Sequence, residues 1–265
     1  MANPWNAAIA YDNRADRASI TASSSAILLP VSRLQDPHIA RKWRSNGSAS
    51  EFLTIDLGAS VPVDTVALIG LNLTSDGTVR VRVSDMDTSA QAGEIYDSGD
   101  VGGAIDPRWG MLVHLLPEAL VGRYVRIDLS DPNAAYIEAG RLFVGRRWQF
   151  QYNFAFGWSR QYVDRSRKTE SRGGQTFIDR DVRYRMANIS FELITQAQRW
   201  GFVEEVDRVN GTHDDVLLIT QSDSDNLGRD CIWGLISDLD PITQPQVWIE
   251  DAPAYAKAYR ITERL

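Results

Sequence analysis

The sequence predicts a mainly β protein, and three observations predict it. Several short segments alternate strictly between apolar and polar residues, the period of a strand with one wet face. Turns rich in Gly, Asp, Asn, Ser and Pro separate these segments at short intervals. Only residues 196–209 carry a helical period. Strands spaced this way form an antiparallel sandwich, and a lone helix must pack against a sheet.

The first half, residues 1–145, supplies the clearest strands. Phe52-Leu53-Thr54-Ile55-Asp56-Leu57 alternates and ends at Gly58. Val63 to Leu71 is a longer apolar run, with Gly70 inside it. Thr78-Val79-Arg80-Val81-Arg82-Val83 and Arg123 to Leu129 alternate again, and Ala139 to Val144 closes the set. Ser75-Asp76-Gly77, Asp100-Val101-Gly102-Gly103 and Asp131-Pro132-Asn133 are the turns between them.

The second half, residues 146–265, is mixed. From Gln149 to Trp158 every second residue is a ring, which predicts a strand with Phe150, Tyr152, Phe154, Phe156 and Trp158 on one face. Ser171-Arg172-Gly173-Gly174-Gln175 reads as a hairpin tip or mobile loop, and Tyr184 to Ile194 as a strand. Trp200, Val203, Val206 and Val209 recur every three residues behind Thr195, which predicts a capped helix over 196–209 ended by Asn210-Gly211. Val216 to Thr220, Cys231 to Leu235 and Tyr255 to Glu263 complete the list of strands, the last with Tyr259 and Ile261 on one face.

Composition narrows the function. The chain has 265 residues, 43% apolar and 24% charged, enough for one large or two smaller cores. No run of 18 apolar residues exists, so no membrane insertion is expected. Met1-Ala2-Asn3-Pro4-Trp5 lacks the start of a signal peptide, which predicts synthesis in a cytoplasm without general export. One cysteine, Cys231, excludes an internal disulfide framework and reads as buried and inert. A net charge of −7 argues against nucleic-acid specificity. The charge is uneven: residues 141–185 hold 11 Lys and Arg against 4 Asp and Glu. Of the basic residues only Lys42, Lys168 and Lys257 are lysines; this reads either as GC-rich codon usage or as a need for planar guanidinium groups at contacts.

Catalytic signatures are missing. There is no Gly-x-Ser-x-Gly, His-Glu-x-x-His, phosphate loop or Gly-x-Gly-x-x-Gly. Asp223-Ser224-Asp225-Asn226 lacks the spacing of an EF-hand and reads as a turn, as does His213-Asp214-Asp215. The chain is expected not to be an enzyme and to need no cofactor.

Several pieces of the first half occur in a familiar order. They are Leu34-Gln35-Asp36-Pro37, Lys42-Trp43-Arg44-Ser45, Glu51 to Gly58, Val63 to Leu68, Arg123 to Ile127, and Ala139-Gly140-Arg141-Leu142-Phe143-Val144. The set resembles the discoidin (factor 5/8 C-type, galactose-binding-like) family. The resemblance implies a jelly-roll β-sandwich over 1–145, loops at one end that bind sugar or phospholipid, and in some members a structural calcium. Trp43 is expected to plug the sandwich, with Ile55 and Leu57 inward and the Tyr124 ring in the core. Asp56 is expected to accept from loop amides or from Trp43. Asp36, His38, Trp43, Arg44, Asn46 and Trp109 are the candidate ligand-binding residues. Asp36 reads either as a turn cap before Pro37 or, by the resemblance, as a calcium ligand. Trp109 reads either as an exposed ring or as packed on the sandwich.

The second half resembles the tail or baseplate (distal-tail-like) structural proteins of bacteriophages. The resemblance lies in the aromatic, Arg-rich run 146–158, the strand into the helix 196–209, and the strands Asp215 to Ile219, Trp233 to Leu239 and Tyr259 to Arg264. It implies a β-sandwich or sheet with one packed helix. It also implies a place in the virion tail, self-association in a ring, other tail proteins as neighbours, and a displayed module that touches a host-surface glycan. Arg165, Arg167, Lys168, Arg172 and Gln175 are the candidate interface residues. A cellular carbohydrate-binding module or lectin is the alternative, and a glycan hydrolase a weaker one.

Overall fold

The computed structural model describes residues 5–102, 105–245 and 254–265. The start read for a signal peptide, Met1 to Pro4, and the Gly103 end of one predicted turn lie outside the described residues. The protein is mainly β, as its alternation predicts, and its chain divides into two compact units. The first holds Met1–Phe150 and Val216–Trp233; the second holds Gln151–Asp215 and Gly234–Leu265.

In the first unit, Phe52–Leu57 and Val63–Leu71 are not separate strands. They belong to one strand, Glu51–Ile69, that pairs antiparallel with Met111–Ser130 and bulges between Asp56 and Val61. Thr78–Ser84 lies on the other side of Met111–Ser130, and Arg141–Gly145 on the other side of Glu51–Ile69. Ser19–Ala22 pairs with the early part of Glu51–Ile69. The bulge lets both halves of the long strand face one core, built of Trp43, Leu53, Ile55, Val66, Leu68, Val81, Val125 and Ile127 among others.

The apolar run Val63–Ile69 has a second cause. Val66 and Leu68 face that core, while Ala67 and Ile69 face another, with Met111, Phe143, Leu217, Ile219, Cys231 and Trp233. A strand buried on both faces loses its alternation. The second core is closed by Ala8–Ala10, which pairs with Arg147–Gln149 on one side and Val216–Ile219 on the other. Residues 216–233 therefore belong with the first unit rather than with the run 146–265.

In the second unit, Arg183–Ile194 pairs with both Ser159–Asp164 and Tyr255–Glu263, and the latter pairs with Gly234–Ile236. The inward residues Tyr255, Lys257, Tyr259 and Ile261 alternate with less buried ones, as the sequence predicts. The helix starts where expected: Thr195 and Gln198 form a capping box. It is not one regular helix. Gln196–Gln198 leads into a π-helical turn, Arg199–Val203, and then Glu204–Val209.

The predicted aromatic strand is absent. Residues 150–158 form a loop, with Phe150 buried in the first unit and Phe156 and Trp158 exposed in the second. Gly157 sits at φ +94°, a value that only glycine adopts without strain, and turns the chain there.

Candidate functional site

Two of the candidate ligand residues of the first unit, Trp43 and Arg44, lie on one short ladder. Trp43–Arg44 pairs antiparallel with Glu138–Ala139. Alternation along this ladder sends Trp43 inward and Arg44 outward. Trp43 is fully buried, and its indole Nε1 donates to Ser24 O and Ser25 Oγ at 3.1 Å. It is the plug expected, so its ring is not a ligand platform. Asp56 does not accept from it either: it accepts from Arg123 at 2.8 and 3.0 Å and from the Gly58 amide.

Arg44 lies half-buried over the Tyr136 ring, 3.9 Å from its centroid, and donates to Glu138 Oε2 at 2.8 Å. Lys42 Nζ reaches the other oxygen at 2.7 Å. Burial alone would raise the Glu138 carboxyl, but the hydrogen bonds from Lys42 and Arg44 outweigh it and hold it below its ordinary value. Two cations, one carboxylate and one ring thus share a patch. Lys42, Tyr136 and Glu138 are not among the ligand-binding candidates of the sequence. Glu138 lies just before the Ala139 run, but its pairing across 94 residues has no local signal.

Asp36 and His38 also meet. Asp36 ends the 3₁₀ turn Val31–Gln35, and its Oδ1 accepts from the His38 amide at 2.9 Å and pairs with His38 Nδ1 at 2.8 Å. Its Oδ2 accepts from Arg41. The His38 amide, then the His38 ring and Arg41, hold this carboxyl well below the usual range. Both oxygens are therefore engaged by the residue's own loop, the capping role. Among the described residues no three His, Cys, Asp or Glu side chains are arranged to hold a metal. Asn46 is exposed and its amide donates to Ser24 Oγ. Trp109 sits half-buried in another loop, where a Cβ placed on Gly228 would lie 3.7 Å from its own Cβ.

A polar hollow of about 270 Å³ opens elsewhere in this unit. Register places its walls: Arg80 pairs with Asp128, Thr78 with Ser130 and Glu51 with Leu129, so three adjacent strands line it, with Asp100 at its edge. Arg80 grips Asp97 at 2.8 and 2.5 Å, bringing that carboxyl down to about 2. Asp128 is held by Arg82 and Arg126, and Glu51 accepts from Ser23 and Ser24. No sequence motif marks this set, because its residues come from separate strands.

The candidate interface residues all lie on one projection of the second unit. Beyond Ser159–Asp164 the chain continues as a two-stranded hairpin, Arg167–Glu170 with Thr176–Asp179, in the register Lys168↔Ile178. Gly174, at φ +80°, makes its tip, and the Ser171 amide donates to Gln175 O. Arg165, Arg167, Lys168, Arg172 and Gln175 are exposed, as is every residue from 172 to 183. Phe177 and Ile178 are 58% and 57% exposed, and Tyr162 and Val182, outside the hairpin strands, are exposed as well. Arg165 Nε lies 3.8 Å from Asp181.

No protein-family model matches this sequence, and no curated protein matches it. Solved structures do match over about half the chain. The lectin-binding domain of lectinolysin, complexed with Lewis b, is 16% identical, covering 52% of this chain and 98% of that one at a TM-score of 0.40. A chitosan-binding module from a chitosanase/glucanase of Paenibacillus sp. IK-5 is 20% identical, covering 51% and 100% at 0.39. The family 32 carbohydrate-binding module of NanJ from C. perfringens, in complex with galactose, is 12% identical, covering 53% and 99% at 0.40. The likeness is one of architecture, and it carries no information on what this chain binds.

Proposed function

We propose that this chain is a non-catalytic binding protein: its first unit is a displayed sandwich that recognises glycan, and its second unit joins copies of the chain. A place in a particle of the phage-tail kind is the narrower form of this reading. The observation that carries the reading is the hairpin arm. A two-stranded ribbon without a hydrophobic face to cover is marginal in water. This one nevertheless presents Phe177 and Ile178 to solvent beside Arg167 and Lys168, with Tyr162, Val182 and Arg165 exposed on the segments that lead into it and Arg172 at its tip. Aromatic residues and Arg are enriched in interface cores. The basic stretch 141–185 against an otherwise acidic chain also provides unlike surfaces for head-to-tail contact, the contact that closes into rings.

A binding role is in keeping with the charge state of the carboxyls. Among the described residues, each carboxyl whose pKa is displaced is displaced downward, Asp36, Asp97, Asp106 and Glu138 included. A general acid needs the opposite displacement. Deleting Lys168–Gln175 tests the assembly reading. The shortened chain is expected to fold with an unchanged circular-dichroism spectrum but to lose mass in light scattering; an unchanged oligomer mass refutes the arm's role.

A second reading, a stand-alone glycan-binding module, is favoured by the hollow lined by Glu51, Arg80, Asp100 and Asp128. Carboxylates, hydroxyls and one Arg around a space this size suit sugar hydroxyls. Under this reading the chain is a monomer, and Arg80→Ala abolishes binding on a glycan array. Undiminished glycan binding by Arg80→Ala removes the hollow from consideration.

A further inference from the structure

We propose that the second unit carries a sugar site of its own: the hollow beside Trp158 takes the pyranose ring of a neutral glycan. The hollow measures about 230 Å³ and lies between the loop Phe156-Gly157-Trp158 and the paired strands Arg183–Ile194 and Tyr255–Glu263. A second concavity of about 300 Å³ is lined by the same loop, so Phe156 and Trp158 stand between two open spaces.

The loop is held, not loose. The Ala155 amide donates to Ser190 O at 2.7 Å. Trp158 packs on Phe154 with ring centroids 5.2 Å apart, Phe154 on Phe191 at 6.3 Å, and Phe191 on the buried Tyr259 at 6.2 Å. This relay of rings braces Trp158 from the core outward, while 43% of the residue stays exposed. Holding a large ring in place yet leaving it uncovered gives up hydrophobic stabilisation that a bound ligand can recover.

The strands that line the hollow are polar there. Asn188 and Arg260 face one another in register, and Arg260 Nε donates to Asn188 Oδ1 at 3.0 Å. Asn188 Nδ2 donates to Ser159 Oγ at 3.2 Å, and Asp240 also lines the hollow. Ser190 and Ala258, small residues on the same strand face, line it as well. A lining of rings together with amide, guanidinium and carboxylate matches the two characters of a pyranose, its C–H face and its hydroxyl edge. Asp238, 3.3 Å from Arg260, and Asp240 offset the guanidinium, so the hollow does not select an anion.

This proposal does not depend on the assembly reading, and its test separates the two. Galactose, glucose and N-acetylglucosamine, with their linear oligomers, are titrated calorimetrically into the full chain. At least one is expected to bind. Trp158→Ala and Asn188→Ala are each expected to weaken it about tenfold or more, while Ile27→Ala, at a 96% exposed position of the first unit, leaves that affinity unchanged. Thermal melts of both variants check their folding, and light scattering is expected to show an unaltered oligomer mass. The proposal is overturned if no sugar binds, if both variants bind like the wild type, or if Trp158→Ala alters oligomer mass without touching sugar affinity, which makes the loop a contact between copies.

Discussion

Asp97 shows what the Arg-rich composition does at the level of single residues. Arg80 meets it with two hydrogen bonds, and its pKa falls from 3.8 to about 2. A carboxyl whose folded pKa is depressed adds stability above its unfolded pKa and loses that contribution as pH falls toward the folded value. Asp97→Asn is therefore expected to destabilise the protein at pH 6, with the difference from wild type vanishing as pH drops through the window between 3.8 and about 2. Denaturant unfolding at a series of pH values reads this directly; a difference independent of pH contradicts it. The same pairing explains which candidates were legible. Trp43 was readable as a plug because so large an apolar residue belongs inside. Glu138 was not readable as the partner of Lys42 and Arg44, because the ladder joining residues 43–44 to 138–139 leaves no trace in either segment alone.

At the level of elements, local patterns were reliable where one face is wet. Thr78–Ser84 and Tyr255–Glu263 fall where alternation places them. The ring at every second position from Phe150 to Trp158 misled, because period two is necessary for a strand but does not ensure one. Gly157 turns the chain, and the rings serve two units instead of one face. The helix shows a related slip. Its π turn adds a residue to the ladder and shifts the phase. Trp200, expected inside, is exposed, while Phe202 is buried in its place. The cap was legible to the residue: Thr195 Oγ1 accepts from the Gln198 amide, and Gln198 Oε1 accepts from the Thr195 amide. Thr195→Ala is expected to cost about 1 kcal/mol of stability. Chemical denaturation with an unchanged midpoint contradicts that.

For the whole chain, the division into units depends on long-range pairing. Val216–Ile219 joins Ala8–Ala10 across more than 200 residues, so a linear boundary near 145 could not assign it. Local composition did mark the basic, aromatic stretch that holds the arm. Its hydrophobic residues are unsatisfied in a single copy, and a second copy is the partner proposed for them. The mass of the full chain in solution tests this most directly. Size-exclusion chromatography with light scattering is expected to give a defined multiple of the single-chain mass. A single-chain mass at every concentration, with the arm intact, contradicts the account.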